Sequence, residues 1–524
     1  MREVSSTENF AEQDISPFML LSELLNPFVE LPKKMDREVL GITTDSRDVE
    51  PGYVFIAQVG YGQHDGRDFI QEALHSGAVA VLSELTVNQD TKTSLLMPAH
   101  TSHVVVPHIQ IYNLTELVGH VADKFYNQPS MQMQMIGVTG TNGKTTITTL
   151  LSKAMKRLDI LAGLIGTHGQ GLDVDKLNYT GLTTPGPVAL QTTLASMRDL
   201  GCEAVSMEVS SHGIAQSRVR GVYFDTLVLS NVTRDHLDFH GDISAYHAVK
   251  KKFLCDYAAR YLVLNLDDEV GKQVAKDYQG SASLIGYTLR NDPNLGLDNV
   301  LRGYQVYADL NGLQMLVSYK STTVKIATKL IGSFNAYNLL AVVASLLTMD
   351  FKLSEIAEAL QGITPVEGRM ESYGGGDKPT VIVDYAHTPA ALEEVLVSLQ
   401  RYCERRLVCF FGCGGDRDSG KRKLMGQIAE RYADHVIITD DNPRHESSKR
   451  IVEQVLRGFL CPWAVDVIHD RTKAIVHAID ESMPGDVILI AGKGHESYQI
   501  IGDEKIAFSD KEQVKFLLNL RADA

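Results

Sequence analysis

The residues best suited to chemistry lie in one stretch, Met135-Ile136-Gly137-Val138-Thr139-Gly140-Thr141-Asn142-Gly143-Lys144-Thr145-Thr146. Glycines let a backbone turn tightly around phosphate, and the amides of the turn and of the helix that follows then point at the anion. Lys144 supplies a mobile cation for the β- and γ-phosphates, and the Thr145 hydroxyl can reach a Mg²⁺ ion. The strict Walker spacing asks for glycine five residues before Gly143, where this chain has Val138. The motif is therefore a variant, Gly-Thr-Asn-Gly-Lys-Thr-Thr, expected between a strand and a helix over Ile147 to Leu158. A plain glycine turn is the alternative, but Gly-Lys-Thr at a strand-to-helix junction favours binding of a nucleoside triphosphate.

Other polar clusters follow apolar strands. Met207-Glu208-Val209-Ser210-Ser211-His212-Gly213 puts Glu208 at a strand's carboxyl end, where α/β ligand sites lie and where a carboxylate suits Mg²⁺. Asn231-Val232-Thr233-Arg234-Asp235-His236-Leu237-Asp238 offers His236 to a metal or a phosphate, and a helix opens after His240-Gly241-Asp242. From spacing alone, Lys250 to Lys252 on that helix read as a solvated basic face. Four further clusters lie at Asp384 to His387, Gly412 to Arg417, Asp440 to Arg444 and Gly492 to Glu496. Each follows an expected parallel strand, so all four are expected to converge on one sheet edge as a site for a small zwitterion.

The elements that position these clusters follow from periodicity. Strand–helix alternation from about 109 to 362 predicts a mostly parallel sheet, with strands at Gln134–Val138, Ala204–Val209, Thr226–Ser230 and Tyr261–Asn265. Leu301 to Leu330 alternates as an antiparallel subsheet, and Ser333 to Leu347 reads as a helix. A second α/β unit has strands at Thr380–Asp384, Arg406–Phe411, His435–Thr439 and Asp486–Ala491, with helices starting near Ala390, Gly420 and Ser447.

Composition sets the frame. A chain of 524 residues exceeds one core, and 44% hydrophobic with 22% charged residues is ordinary for a globular protein. A net charge of −15 argues against nucleic acid or a membrane surface as partner. The six cysteines show no CxxC pair or zinc spacing, which predicts a reduced, cytoplasmic chain. Met1 to Pro17 lacks the basic-then-apolar pattern of a signal peptide, and no apolar run is long enough to span a membrane.

With these motifs in hand, the chain resembles the Mur ligases, ATP-dependent amino-acid ligases of peptidoglycan synthesis. Gly140–Thr146, Glu208 to Gly213, Asn231 to Asp238, Gly332 to Asn338, Gly368 to Glu371 and Asp384 to Pro389 fall in the family's order. Asp441-Asn442-Pro443-Arg444 matches the branch that adds diaminopimelate to UDP-N-acetylmuramoyl-L-alanyl-D-glutamate. The resemblance implies three α/β domains: a uridine-nucleotide domain over 1–108, a central P-loop ATPase over 109–362, and a C-terminal Rossmann-like amino-acid domain over 363–524.

It also implies roles. Glu208 and His236 match metal ligands, and Lys250 matches a carbamylated lysine that helps to hold Mg²⁺. Asn335, Arg369 and Asp384 join Gly140–Thr146 as ATP contacts. Thr44 and Ser46 match uridine-nucleotide contacts; Thr183, Thr184, Ser210, Gln216 and Arg218 match muramoyl-dipeptide contacts. Arg417, Asp441, Asn442, Pro443, Arg444, Gly492 and Glu496 match the diaminopimelate pocket. Two departures stand out: Leu182 replaces an asparagine of some relatives, and the loop Gly60 to Gly66 is one residue longer than in some. The implied partners are small molecules only, acting on a monomer. Folylpolyglutamate synthetase is the nearest alternative, and the Asp-Asn-Pro-Arg cluster argues against it. A nucleotide switch that hydrolyses ATP without ligation is the other, and it needs fewer polar clusters than the C-terminal unit carries.

Overall fold

The computed structural model describes residues 19–60, 65–87, 89–97, 105–291 and 297–520. Met1 to Pro17 and Tyr61 to His64 of the lengthened loop lie outside the described residues. The chain falls into two compact units, Met1–Met135 with Leu161–Asp225, and Ile136–Ile160 with Thr226–Ala524.

The first unit holds a five-stranded sheet in the order Gly41–Thr43, Tyr53–Ala57, Ala80–Leu85, Val106–Tyr112, Lys92–Leu96. Only the last pairing is antiparallel. Helix Leu114–Phe125 repeats apolar residues at Leu114, Val118, Val121, Ala122 and Phe125, one face of a 3.6-residue period. That face packs on Ile56, Leu82 and Ile109 of the sheet. Its buried neighbour Gly119 is required: a Cβ there would lie 1.9 Å from the Arg220 carbonyl oxygen. The rest of the unit carries the hairpin Ala162–Gly166/Gly169–Gly171 and the strand Ala204–Glu208, parallel to the hairpin's first arm.

In the second unit, Gln134–Thr139 pairs in parallel with Phe224–Leu229 from Ile136 onward. Ala259–Asn265, Ser283–Thr288 and Val300–Asp309 also pair in parallel, and Gly312–Tyr319 and Thr322–Thr328 complete the expected antiparallel subsheet. Helix Asn335–Leu347 is apolar nearly all round and correspondingly buried against helix Lys144–Arg157.

The C-terminal sheet runs Glu371–Gly374, Thr380–Asp384, Val487–Ala491, Leu407–Phe411, His435–Ile438, Asp466–Val467, parallel except at its first strand. Its strands read as continuous apolar runs because both faces are covered. Ile382, Cys409, Phe411, Ile438 and Leu489 face one core, under helices Pro389–Gln400, Gly420–Tyr432 and Ser448–Leu456. Val381, Val383, Phe410, Ile437 and Ile488 face the other, under helix Arg471–Asp480 and the C-terminal helix Asp510–Leu520. Each buried aliphatic or aromatic side chain contributes about 1.5–3 kcal/mol.

Two elements depart from expectation. The helix after the phosphate loop begins at Lys144, three residues earlier than Ile147, because Gly143 enters it from a left-handed conformation. A hairpin, Tyr498–Ile501 with Glu504–Ala507, was not foreseen, since its second arm is exposed and offers no apolar face to read.

Candidate active site

The phosphate loop is built by close approach. At Gly140, φ +149°, a Cβ would lie 1.8 Å from Ser230 Oγ; at Gly143, φ +89°, it would lie 2.4 Å from Asn338 Oδ1. The segment Ser230 to Thr233 cradles the loop. Thr141 N donates to the Asn231 carbonyl at 2.7 Å, Asn142 N donates to Asn231 Oδ1 at 3.0 Å, and Ser230 Oγ donates to the Asn142 carbonyl at 2.6 Å. Lys144 Nζ folds back onto the carbonyls of Gly140 and Thr141, both at 2.9 Å. A cavity of about 270 Å³ opens beside the loop, walled by Asn142, Gly143, Thr146, Asn335, Arg369 and Tyr385 among others.

Arg369 Nη2 donates to Thr145 Oγ1 at 3.1 Å, and its guanidinium lies 4.5 Å from the Tyr385 ring centre. Its Nε is buried without a partner among the described residues, a donor open to a ligand oxygen. Asp384 acts differently: its two oxygens accept from the amides of Met370 at 2.8 Å and Ala386 at 2.7 Å. It shapes the cavity wall through backbone. Burial pushes its carboxyl above the usual range, against the pull of Arg369. Asn335 is likewise engaged, donating to the Ile331 carbonyl and accepting from Asn338, both at 2.8 Å.

Lys250 corrects the reading from spacing. It is 1% exposed, not a solvated basic face, because helix Ile243–Asp256 turns it inward. Its Nζ donates to Thr139 Oγ1 at 3.3 Å and lies 5.0 Å from the Tyr246 ring centre. Tyr246 Oη in turn meets Thr141 Oγ1 at 2.9 Å, so the helix bearing Lys250 is tied to the loop. Burial, reinforced by repulsion from Lys144, drives the Lys250 amine well below the usual lysine range despite Asp235. Sequence reasoning missed Tyr246, although it stands one helical turn before Lys250.

It also gave Asp235 no role. This carboxylate accepts from His236 N at 2.9 Å, and its Oδ2 lies 3.2 Å from His236 Nε2 and 3.8 Å from His387 Nε2. Burial would raise Asp235, but the two histidines and Lys421 outweigh it and hold it far below the usual carboxylate range. Among the described residues no three His, Cys, Asp or Glu side chains form a cluster able to hold a metal ion.

Within the first unit, five expected dipeptide contacts gather around Glu208. Thr167 donates from its amide to Glu208 Oε1 at 2.8 Å and from its hydroxyl to Oε2 at 3.1 Å, while that hydroxyl meets Thr183 Oγ1 at 3.0 Å. Thr184 Oγ1 donates to the Glu208 carbonyl at 2.9 Å and lies 3.1 Å from Ser210 Oγ. Arg218 reaches the Thr184 carbonyl at 2.8 Å and grips Gln216 Oε1 at 2.8 and 2.5 Å. Thr167 belongs to no motif, and no signal pointed to it. Leu182 is exposed. In the same unit Ser46 is buried and donates to Glu72 Oε2 at 3.0 Å, whereas Thr44 is exposed just past a strand end.

The four C-terminal clusters gather at the carboxyl ends of parallel strands of one sheet, as expected: Gly492 N donates to the Asp384 carbonyl at 3.1 Å, and the Tyr385 and His495 rings lie 5.2 Å apart. Asp384, Tyr385 and His387 turn to the cavity beside the phosphate loop. The other three interlock. Asn442 Nδ2 and Lys493 Nζ both donate to Glu496 Oε2 at 2.9 Å, and Lys493 also donates to Asn442 Oδ1 at 3.0 Å. Gly492 lies so close to Asp441 that a Cβ would sit 2.9 Å from Oδ2, and Gly415 would press a Cβ to 1.8 Å from the Pro443 carbonyl oxygen. Arg444 holds φ +52° and donates from Nη1 to the Gly415 carbonyl at 2.8 Å. Burial and nearby Arg417, itself exposed, push the Arg444 guanidinium below its ordinary value. Burial would raise Asp441, but Lys493 and Arg471 overcome it and keep the carboxylate low. Beneath them Arg471 and Asp510, both fully buried, pair at 2.7 Å. Breaking such a pair costs about 3–5 kcal/mol.

Residues 38–126 match the model of the Mur ligase family catalytic domain, 138–346 the Mur ligase middle domain, and 368–494 the Mur ligase glutamate ligase domain. The chain is 42% identical over 503 residues to a UDP-N-acetylmuramoyl-L-alanyl-D-glutamate–2,6-diaminopimelate ligase from Alkalilimnicola ehrlichii, covering 95% of this chain and 98% of that protein. A solved structure of a ligase of the same name matches with TM-score 0.67 and 30% identity, over 97% of this chain and all of that one. A Mycobacterium tuberculosis folylpolyglutamate synthase, solved with ADP and AMPPCP, shares the fold at TM-score 0.57 and 18% identity, over 72% of this chain and 92% of that one. With three family models in order and 42% identity along nearly its whole length, this chain belongs to the Mur ligase family.

Proposed function

We propose that the chain is an ATP-dependent ligase that adds meso-2,6-diaminopimelate to UDP-N-acetylmuramoyl-L-alanyl-D-glutamate in cytoplasmic peptidoglycan precursor synthesis. The observation that carries this reading is a phosphate loop and a mixed Arg–Asp–Lys–Glu cluster in one chain that is 42% identical over 95% of its length to a ligase of that name. Residues 1–108 are assigned to the uridine nucleotide, 109–362 to ATP and 363–524 to the amino acid.

The chemistry runs in two steps. The γ-carboxylate of the D-glutamyl residue takes the γ-phosphoryl group of ATP, and ADP leaves. The neutral amine of diaminopimelate attacks the acyl phosphate, phosphate leaves, and the nitrogen's proton passes to solvent or a nearby base. Activation is needed because a carboxylate is a poor electrophile and repels the triphosphate. Lys144 and the loop amides stabilise the transferring phosphoryl group, and the Nε of Arg369, unpartnered among the described residues, supports a contact from it to a phosphate oxygen. Thr183, Thr184, Ser210, Gln216 and Arg218 hold the dipeptide, with Thr44 and Ser46 on the uridine side. Arg417, Asp441 to Arg444, Gly492 and Glu496 hold diaminopimelate.

Mg²⁺ would offset charge on the phosphates. In the second unit the Thr145 hydroxyl is a hard oxygen donor of the kind it prefers, with His236 and Lys250 as further ligands; Glu208 is the carboxylate that the family resemblance assigns to it. Burial disfavours the charged form of Lys250 and so favours the neutral amine, the form that adds CO₂, which supports a carbamate there.

The test is a three-substrate assay with ATP, the uridine muramoyl-dipeptide and diaminopimelate, read by product mass. The expected product is the uridine muramoyl-tripeptide with one ADP and one phosphate. ADP release without a new peptide bond would sink the reading in favour of a nucleotide switch, and product with a folate acceptor would favour a folylpolyglutamate synthetase.

A further inference from the structure

The hairpin Tyr498–Ile501/Glu504–Ala507 has no part in the chemistry above, yet it is stitched to the Asp441–Arg444 turn. Gln499 Nε2 donates to the Asp441 carbonyl at 2.6 Å, and Ile500 N donates to Asn442 Oδ1 at 2.9 Å. Arg444 N donates to the Ile500 carbonyl at 3.1 Å, and Gly502 N donates to the Arg444 carbonyl at 2.8 Å. Both backbone groups of Arg444 are therefore held by the hairpin, in a left-handed conformation that an arginine does not adopt unaided.

At the centre of the stitching stands Lys493. Its side chain is fully buried, and its ammonium donates to Asn442 Oδ1 and Glu496 Oε2. Asn442 Oδ1 thus accepts from both Lys493 and the hairpin amide of Ile500. That double duty fixes which way the Asn442 amide faces, because its nitrogen must then turn to Glu496. Lys493 also lies 5.5 Å from the ring centre of Tyr498, the hairpin's first residue. Remove the ammonium, and Asp441 and Glu496 lose the cation between them, Asn442 is free to flip, and the hairpin loses a tether.

We infer that Lys493 is a positioning residue for amino-acid selection: it locks Asn442 and Glu496, and through the hairpin Tyr498–Ala507 it aims the Arg444 guanidinium at the far carboxylate of the incoming amino acid. The inference rests on the proposed diaminopimelate ligase reading and adds the hairpin and Lys493 to it. A planar fork discriminates only when its direction is set closely, so loosening the lock erodes selection before it erodes turnover.

The experiment compares wild type, Lys493→Met and Gln499→Leu. Methionine keeps the bulk of the buried stem without the charge, and Gln499→Leu removes only one hairpin bond. kcat/KM is measured for diaminopimelate and for L-lysine, with KM for ATP and a thermal melt as controls. Lys493→Met is expected to lower the preference for diaminopimelate at least about tenfold, through a raised KM, while KM for ATP stays within about twofold. Gln499→Leu should lower the preference by a smaller factor, and it decides the matter alone if Lys493→Met does not fold. An unchanged preference in the folded variants, or equal losses for both amino acids accompanied by a raised KM for ATP, overturns the inference. A wild type that forms no tripeptide with diaminopimelate overturns the functional reading and the inference with it. Wild-type product with variants of unchanged preference overturns the inference alone.

Discussion

The phosphate loop and the amino-acid cluster solve the problem of placing charge in opposite ways. The loop is contiguous, Gly140 to Thr146, and its shape comes from two glycine conformations and bonds to one neighbouring segment. The cluster draws on three separated segments and a hairpin, and its shape comes from charged side chains satisfying one another. A loop held by backbone presents its amides whatever the surrounding charges do. A network held by side chains depends on every member. The loop is thus expected to fail at single atoms that touch the nucleotide, and the cluster to fail through partners that touch no substrate.

The largest effect should come from the loop's cation. Lys144→Ala is expected to leave the fold intact and lower ligation by roughly 10³-fold or more, as for other charges that meet a transferring phosphoryl group. Near-normal turnover by the folded variant would end the assignment. Lys250 should come next, with Lys250→Ala losing about 10²–10³-fold and recovering in part with short carboxylic acids that replace the missing anion. Full activity in Lys250→Arg would refute a carbamate, since a guanidinium cannot form one.

On the cluster's side, Arg444→Ala is expected to lose most of the preference for diaminopimelate over lysine, on the order of 10²-fold or more, with KM for ATP unchanged. Equal use of both amino acids by the wild type would remove Arg444 from selection. Gly143→Ala sharpens the contrast from the loop's side. A methyl group there meets Asn338 Oδ1 and strains a left-handed residue by about 1–3 kcal/mol, so KM for ATP should rise about tenfold with amino-acid preference untouched.

The smallest effect concerns a buried charge without the pairing that Lys493 enjoys. Asp123 is 3% exposed, its Oδ1 has no partner among the described residues, and burial, only partly opposed by Gln128, raises its pKa to about 7. The folded chain then keeps a proton that the unfolded chain releases near its ordinary value of 3.8. Stability should fall as pH rises between those two values and level off above the higher one. Asp123→Asn should remove about 1–3 kcal/mol of that fall without altering turnover, and melts of both proteins at pH 5 and pH 8 would show it. Parallel pH dependence in the two proteins would refute the buried-acid assignment.

Legibility followed the same contrast. The loop, the C-terminal strands and the antiparallel subsheet were readable because each is encoded in adjacent residues or in a short period. The C-terminal clusters were located correctly at strand ends, but nothing in their spacing told which would face the nucleotide cavity; Asp384 to His387 turn there, and the rest do not. Spacing alone reads Lys250 as solvated, because three consecutive lysines look alike until a helix decides which one points inward; only the family resemblance singled it out. Thr167, Asp235, Tyr246 and Lys493 act through partners distant in sequence or on another turn, and such pairing is decided by tertiary packing.

Arg444 carries a last consequence, one of evolutionary economics rather than geometry. A left-handed φ of +52° suits glycine, so glycine there would relax the backbone by about 1 kcal/mol while erasing the guanidinium. That relief is offset by loss of the guanidinium's bond to the Gly415 carbonyl, worth about 1 kcal/mol, so stability alone leaves the position nearly neutral. A lineage that keeps arginine here is then one held to it by selectivity rather than by thermal robustness.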